Sequence, residues 1–138
     1  MSMLIRTGIS LDRELLLRFD RVIRKKGYKN RSEAIRDLVR DYAVAEDVEE
    51  DRTVVGTLTL VYDHHRPKLS EQLLEVQHHA QAKVLAATHV HLDHNNCLEV
   101  VLMKGRSSQV RHIADQILTL RGVKHGKLVL TTRGKGLA

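Results

Sequence analysis

The stretch Leu-Ile-Arg-Thr-Gly-Ile-Ser-Leu, residues 4–11, alternates between two sets of side chains. One face would carry Ile5, Thr7, Ile9 and Leu11, and the other would carry Arg6, Gly8 and Ser10. A period of two residues predicts a half-buried β-strand. We therefore expect one short strand near the N-terminus, with a polar and basic outer face.

Two helices are predicted after this strand. Asp12 is placed to cap the first helix and Gly27 to end it. Asn30 and Glu33 fit the capping box of the second helix. The apolar stripes at helical spacing are Leu15, Phe19, Val22 and Ile23 in the first helix and Ile35, Leu38, Val39 and Tyr42 in the second. The N-terminal module is thus expected to be strand–helix–helix.

A module of about 43 residues is close to the lower size limit for independent folding, about 40 residues. Its single strand also lacks a partner for its backbone groups. Both problems are solved if two chains pair their strands into an antiparallel ribbon that exposes Arg6, Gly8 and Ser10. Such a ribbon fits the major groove of B-DNA. The start of the second helix, at Arg31 and Ser32, could hold a phosphate through free amides.

Three stretches of this module resemble a ribbon–helix–helix repressor. They are residues 4–10, Gly27-Tyr28 and Asn30-Arg31-Ser32-Glu33-Ala34-Ile35-Arg36-Asp37. The resemblance implies a DNA-binding and dimerisation domain, which we expect at residues 1–46.

An acidic cluster follows this module in a chain that is otherwise basic. The 138 residues include 23 Lys and Arg against 17 Asp and Glu, which gives a net charge of +6. The cluster consists of Glu46, Asp47, Glu49, Glu50 and Asp51. Such a charge run is typical of a solvated helix end that continues into a linker. A second domain is therefore expected at residues 53–138.

The cysteine count and the hydropathy pattern indicate the compartment. A single cysteine excludes an internal disulfide framework and favours a reducing, cytoplasmic environment. No stretch approaches the roughly 18 consecutive apolar residues of a membrane span, and the N-terminus lacks the apolar region of a signal peptide. We therefore expect a cytoplasmic protein without a membrane partner.

The second module shows the order strand, helix, strand, strand, helix, strand. The strands are predicted at residues 54–62, 88–92, 98–103 and 123–132, with helices after Pro67 and from Ser107 to Gly122. The order βαββαβ is typical of a ferredoxin-like sandwich, the order that ACT-type regulatory modules share. The predicted fold class is α+β.

Four residues of the predicted hairpin in this module place metal donors on one face. His89 and His91 are two residues apart on one strand, and Cys97 and Glu99 lie on the same face of the next strand. A consistent register sets His91 opposite Cys97 and His89 opposite Glu99, close enough for a common metal ion. His78 points away from the core of its own module, which suits a ligand donated to another subunit.

Three imidazoles and one thiolate can hold Zn²⁺, Ni²⁺ or copper, and the donor set leaves this choice open. Four protein ligands would leave no open position for a substrate, so an enzyme is not expected. The other histidines are interpreted as surface residues: His64, His65, His79, His94, His112 and His125.

The ligand spacing His78-x10-His89-x-His91-x5-Cys97 is similar to that of the nickel-responsive transcriptional regulators, the NikR family. The resemblance covers about residues 4–132. It implies that His78, His89, His91 and Cys97 are nickel ligands, with His78 from a neighbouring subunit. It also implies a homotetramer that represses nickel-uptake genes by binding double-stranded operator DNA when Ni²⁺ is bound.

The same resemblance assigns expected roles to other residues. Arg6 and Ser10 would contact base edges, whereas Gly8 stands where some members carry a hydroxyl residue, so one base contact per strand is in doubt. Glu33 and Asp37 match positions that help to hold a second cation. In addition, Glu99 could accept a hydrogen bond from a ligating imidazole.

Two alternatives to a nickel-sensing repressor are considered. One is a regulator of the same build that responds to copper or zinc. The other is a metal-storage or delivery protein whose ribbon only mediates dimerisation and which does not bind DNA specifically.

Overall fold

The structure, a computed structural model, describes residues 3–138, and it divides into two compact units. One unit contains residues 3–43 together with Lys135–Ala138, and the other contains Val44–Gly134. Helix α2 continues across this division.

The first unit contains α1, Arg13–Lys26, and the start of α2, Arg31–Glu49. The Asp12 carboxylate accepts hydrogen bonds from the first-turn amides of α1, as predicted. Gly27 ends the helix with a φ of +90°, a left-handed conformation that glycine adopts without strain. At the start of α2, Asn30 Oδ1 accepts a hydrogen bond from the Glu33 amide at 3.0 Å. Both predicted helix starts are therefore confirmed.

The predicted N-terminal strand is not formed within this single chain. Residues 3–11 lie outside any helix or strand, and Ile5 is 80% exposed. Leu38, Val39 and Tyr42, which belong to the predicted apolar stripe of the second helix, are exposed too. The physical reason is the one that the sequence suggests: an isolated strand has no hydrogen-bonding partner until a second chain supplies one.

The second unit is a four-stranded sheet with two helices packed on one face. Its elements are β1 Thr53–Asp63, α3 Leu69–His78, β2 Lys83–His91, β3 Asn96–Arg106, α4 Ser107–Leu118 and β4 Val123–Thr131. The strand order is β2-β3-β1-β4, with every neighbouring pair antiparallel. This is the predicted βαββαβ order, so the α+β fold class is confirmed.

The core of this unit lies between the sheet and its helices. Leu58, Leu60 and Val101 are fully buried there against α4 residues such as Ile113 and Ile117. Gly56 lets α4 approach the sheet closely, since a Cβ at this position would lie 2.5 Å from Val110 Cγ1. The opposite face of the sheet is left open by the described elements of this unit, and Val90, Leu102 and Val129 are exposed on it.

The acidic cluster lies at the end of α2 and is hydrogen-bonded to the start of α4, unlike a solvated linker. Asp51 Oδ1 accepts hydrogen bonds from the Ser108 amide at 2.7 Å and from Ser107 Oγ at 3.2 Å. Ser107 Oγ also bonds to the Val48 carbonyl at 2.7 Å. Ser107 is the first residue of α4, and the Asp51 carboxylate caps this helix through the Ser108 amide. The end of α2 and the start of α4 are joined through these bonds.

Candidate metal centre

The register between β2 and β3 sets the geometry of the site. His89 pairs with Glu99 and His91 pairs with Cys97. This is the register predicted from the sequence, and it follows from matching the apolar faces of the two strands. All four side chains lie on the face of the sheet that carries the helices. Two are on the edge strand β2 and two are on its neighbour β3.

These side chains line a pocket of about 180 Å³ that extends from β2 and β3 toward α3. The pocket is lined by Tyr62, His64, Ser70, Leu73, Leu74, Gln77, His89, His91, Cys97 and Glu99. Cys97 lies at its base with 1% of its surface exposed, whereas His89 and His91 are exposed. The site thus joins a buried sulfur to imidazoles that a second molecule can reach.

One histidine joins this site although it was interpreted as a surface residue. The donor atoms of His64, His91 and Cys97 all lie within 4.8 Å of one another. His64 Nδ1 is 3.5 Å from Cys97 Sγ. His64 is exposed, as expected of a surface residue, and it also lies beside two of the candidate ligands.

The position of His64 follows from the pairing of β1 with β3. Tyr62 pairs with Cys97 and Asp63 with Asn96, so the residue after β1 emerges beside the ligand strand. The His64 amide then donates a hydrogen bond to the Asn95 carbonyl at 2.7 Å. The sequence signal was a histidine directly after an apolar strand, but using it requires the β1–β3 register.

The two remaining candidate ligands lie outside this three-residue cluster. His89 lines the pocket, but its ring centre is 6.3 Å from that of His91, so its imidazole must move closer before all three share one ion. His78 is exposed at the end of α3, beside His79 and outside the residues that line the pocket. A ligand role for His78 in a neighbouring subunit stays a prediction.

Burial shifts the protonation of groups around Cys97. Burial, together with the nearby Glu99 and Cys97, raises the pKa of Tyr62 to about 12. Burial also raises the pKa of Glu99, and nearby His89 partly offsets this effect. Burial and the neighbouring His91 lower the pKa of His64, which favours the neutral imidazole that binds metals.

The donor chemistry fits a borderline or soft divalent metal ion such as nickel, zinc or copper. A thiolate and imidazoles are the ligands that these ions prefer. Among the described residues, Glu99 Oε2 is buried without a hydrogen-bond partner. A carboxylate in this state can accept the second N–H of a ligating imidazole, which fixes the ring orientation. The pocket therefore holds both ligands and an acceptor for one of them.

The predicted DNA-binding residues lie in the first unit. Arg6, Gly8 and Ser10 lie in the exposed segment before α1. The guanidinium of Arg31 makes a bidentate pair with Asp20, at 2.9 and 2.8 Å, which lowers the pKa of Asp20. At the start of α2, Arg31 and Ser32 therefore offer backbone amides, whereas the Arg31 side chain is already paired.

The predicted second-cation residues line a pocket of about 220 Å³ with Tyr28, Arg36 and Arg40. Asp37 accepts hydrogen bonds from the Tyr28 hydroxyl at 2.5 Å and from Arg40 at 2.8 Å. These bonds lower the pKa of Asp37. A cation held by Glu33 and Asp37 would have to displace Arg40, so the role of this pair stays a prediction.

Two family descriptions together match most of the chain. Residues 5–46 match the ribbon-helix-helix protein, copG family, and residues 55–131 match the NikR C terminal nickel binding domain. The chain belongs to the family of nickel-responsive regulators. The observed site lies within the part that matches the nickel-binding domain of this family.

Relatives agree with this family, and one solved structure is similar in fold. Two proteins named "Putative nickel-responsive regulator" are similar over 96% of this chain and 96% of their own length. The one from Geobacter sp. (strain M21) is 54% identical and the one from Thermococcus onnurineus is 51% identical. The uncharacterized protein TM1266 from Thermotoga maritima shares the fold, with a TM-score of 0.51 and 19% identity over 57% of this chain and 98% of its own. Among residues 3–138, no helix is long and apolar enough to cross a membrane.

Proposed function

We propose that this chain is a nickel-sensing repressor that binds operator DNA upstream of nickel-uptake genes. The observation that carries the proposal is the convergence of His91 and Cys97 in one pocket of a chain whose other part is a ribbon–helix–helix unit. One part offers a soft-metal site and the other a means to bind DNA. The proposed domains are residues 1–46 for DNA binding and dimerisation and residues 53–138 for metal binding and tetramerisation.

His89, His91 and Cys97 of one subunit and His78 of its neighbour are the proposed nickel ligands. Bound Ni²⁺ supplies coordination bonds that join the two subunits. Glu99 orients His89, its partner across the β2–β3 register, by accepting an imidazole N–H. Exposure of His78 on its own subunit supports the assignment, because an exposed imidazole at a helix end can be shared with another chain.

Unpartnered apolar surface in both units supports a homotetramer. Leu38 and Tyr42 on α2 are exposed in a single chain, and pairing of two N-terminal segments into a ribbon would cover them. In the second unit the open face of the sheet exposes Val90 and Val129, the latter by 54%. Two kinds of contact between chains, one at each unit, give a dimer of dimers.

DNA recognition is assigned to the paired N-terminal segments. Arg6 would bond to guanine and Ser10 to a base edge, whereas Gly8 offers no side chain for a contact. The α2 amides of Arg31 and Ser32 would hold a phosphate on either side of the ribbon. Only the base contacts would carry sequence preference.

The test is DNA affinity with and without nickel. Binding sequences are first selected from a random DNA pool by the nickel-loaded protein, and the Kd is then measured with stoichiometric Ni²⁺ and after chelation. We expect about 10- to 100-fold tighter binding with nickel, the usual range of allosteric coupling, and DNA must raise nickel affinity by the same factor. Equal Kd values in the two states would contradict a nickel sensor.

The variant Arg6→Ala separates a repressor from a storage protein. In a repressor it removes sequence-specific binding while nickel binding stays as in the wild type, because Arg6 lies outside the metal-binding domain. In a storage or delivery protein, no selected sequence would bind more tightly than random DNA even before the substitution.

A zinc- or copper-responsive regulator is the second candidate. The observation in its favour is that His64, His91 and Cys97 lie together within one protomer, a donor set that these metals also accept. The DNA affinity, measured in parallel with Ni²⁺, Zn²⁺ and copper ions, decides between the two candidates. Electronic absorption identifies the bound metal, because Zn²⁺ complexes have no d–d bands.

A further inference from the structure

Five histidine rings form a continuous series from the tip of the β2–β3 hairpin to the metal pocket. The series runs His94, His65, His64, His91 and His89. Successive ring centres are separated by 5.2, 5.1, 4.4 and 6.3 Å. Its first two members, His94 and His65, belong to none of the ligand sets assigned above.

The first three separations match those of imidazoles that share a metal ion. At metal–nitrogen distances of about 2.1 Å and bond angles of about 90–110°, two ring centres lie about 4.5–5.3 Å apart. Each neighbouring pair from His94 to His91 can therefore hold the same ion with little rearrangement. His65, which occupies the middle of these pairs, is within reach of both His94 and His64.

Backbone contacts hold this series in place. The loop after β1 is fixed to the hairpin tip, since the His64 amide donates to the Asn95 carbonyl at 2.7 Å. His65 Nε2 lies 2.9 Å from the His94 carbonyl, so that nitrogen donates its proton there and Nδ1 stays free for a metal. These contacts hold the loop after β1 against the hairpin tip and orient the ring of His65.

The histidines and the cysteine beside them differ in their access to solvent. All five histidines are exposed, whereas Cys97 is almost fully buried, 3.5 Å from His64 Nδ1. An ion that binds Cys97 must exchange waters for protein ligands before it reaches the buried sulfur. A series of imidazoles allows the waters to be replaced one at a time.

We propose that His94, His65 and His64 form a loading path that passes a divalent metal ion from solvent to His91 and Cys97. At each transfer one imidazole forms a bond to the ion as the previous imidazole releases it. At the last transfer the Cys97 thiol loses its proton to solvent and its sulfur replaces His64. The inference rests on the proposed function, because it takes His91 and Cys97 as the destination of nickel.

The test measures the rate of nickel loading apart from the equilibrium. Full-length metal-free protein is mixed with NiCl₂, and loading is followed by the absorption of the nickel–thiolate bond. The variants are His94→Asn and the double variant His65→Asn/His94→Asn. The matched control is His112→Asn/His125→Asn, which removes two exposed imidazoles that are not in the series.

We expect the double variant to load about tenfold more slowly, the low end of the rate gain that a locally concentrated ion provides. Its equilibrium nickel affinity and stoichiometry should equal those of the wild type, and the control should load at the wild-type rate. Loading of the path variants at the wild-type rate would overturn the proposal.

The single variant guards against damage to the loop. If the double variant also loses equilibrium affinity, His94→Asn decides, because it keeps the backbone carbonyl that His65 contacts. Slower loading with unchanged affinity then supports the path, and unchanged loading overturns it. A wild-type chain that binds no nickel at equilibrium would overturn the proposed function itself, and the path with it.

Discussion

At the scale of single residues, Glu99 combines a cost to folding with a benefit to the metal site. Its carboxylate is half-buried, and Oε2 has no hydrogen-bond partner among the described residues. A buried acceptor in this state costs about 1–3 kcal/mol. A ligating imidazole would supply the missing donor and so remove this cost.

We therefore predict that Glu99→Gln stabilises the metal-free protein at neutral pH by about 1 kcal/mol. The folded-state pKa of Glu99 is raised above its unfolded value, so its contribution to stability is greatest below the unfolded pKa. That contribution is lost as the pH rises through the folded pKa. Urea unfolding of metal-free protein between about pH 4 and pH 7 measures this difference.

The control for this prediction is Glu71→Gln, at an exposed position of α3. It should change the free energy of unfolding by no more than about 0.5 kcal/mol, as is usual for an exposed side chain. The Glu99→Gln variant should also bind nickel about tenfold more weakly, as is usual when a group that orients a ligand is removed. A variant whose stability follows pH in parallel with the wild type would show that Glu99 does not titrate in this way.

At the scale of elements, the pairing of strands that are close in sequence could be predicted, whereas the pairing of distant strands could not. The β2–β3 register followed from alternation across a short hairpin, so His89, His91, Cys97 and Glu99 were placed correctly. His64 was missed because its position depends on β1, which precedes Cys97 by a helix and a strand. Alternation within one strand contains no information about which distant strand it pairs with.

The N-terminal segment shows a different limit. Its alternating pattern predicts a strand, but in one chain residues 3–11 lie outside any helix or strand. A strand exists only with its hydrogen-bonding partner, and that partner belongs to another molecule. The pattern therefore describes the paired state, whereas the structure describes a single chain.

The joint between α2 and α4 provides a prediction at the scale of elements. Ser107 is buried, and its hydroxyl donates to the Val48 carbonyl at 2.7 Å. Ser107→Ala removes this bond and the 3.2 Å contact with Asp51, which leaves the Val48 carbonyl only the longer 3.3 Å bond from the Asp51 amide, and should lower the free energy of unfolding by about 1 kcal/mol. Ser70→Ala is the control, since it removes the hydroxyl of an exposed serine on α3. Denaturant unfolding of both variants measures the difference, and equal losses would contradict a specific role for Ser107.

At the scale of the whole molecule, the proposed nickel site is complete only between two chains. One chain brings His91, Cys97 and the nearby His89, whereas His78 is exposed outside the pocket that these residues line. A site divided in this way makes metal binding depend on assembly. The division of the ligands between two chains can therefore be tested with mixed oligomers.

Mixed oligomers of His78→Ala and Cys97→Ser chains should recover nickel sites that neither variant forms alone. The His78→Ala chain keeps its own three ligands, and the Cys97→Ser chain keeps the histidine that a neighbour needs. After unfolding and refolding together in equal amounts, about a quarter of the sites should be intact, because half of the chains keep their ligands and half of the neighbours keep His78. Equilibrium dialysis with Ni²⁺ counts these sites. If His78 instead served its own chain, every mixed site would lack one ligand and mixing would recover nothing.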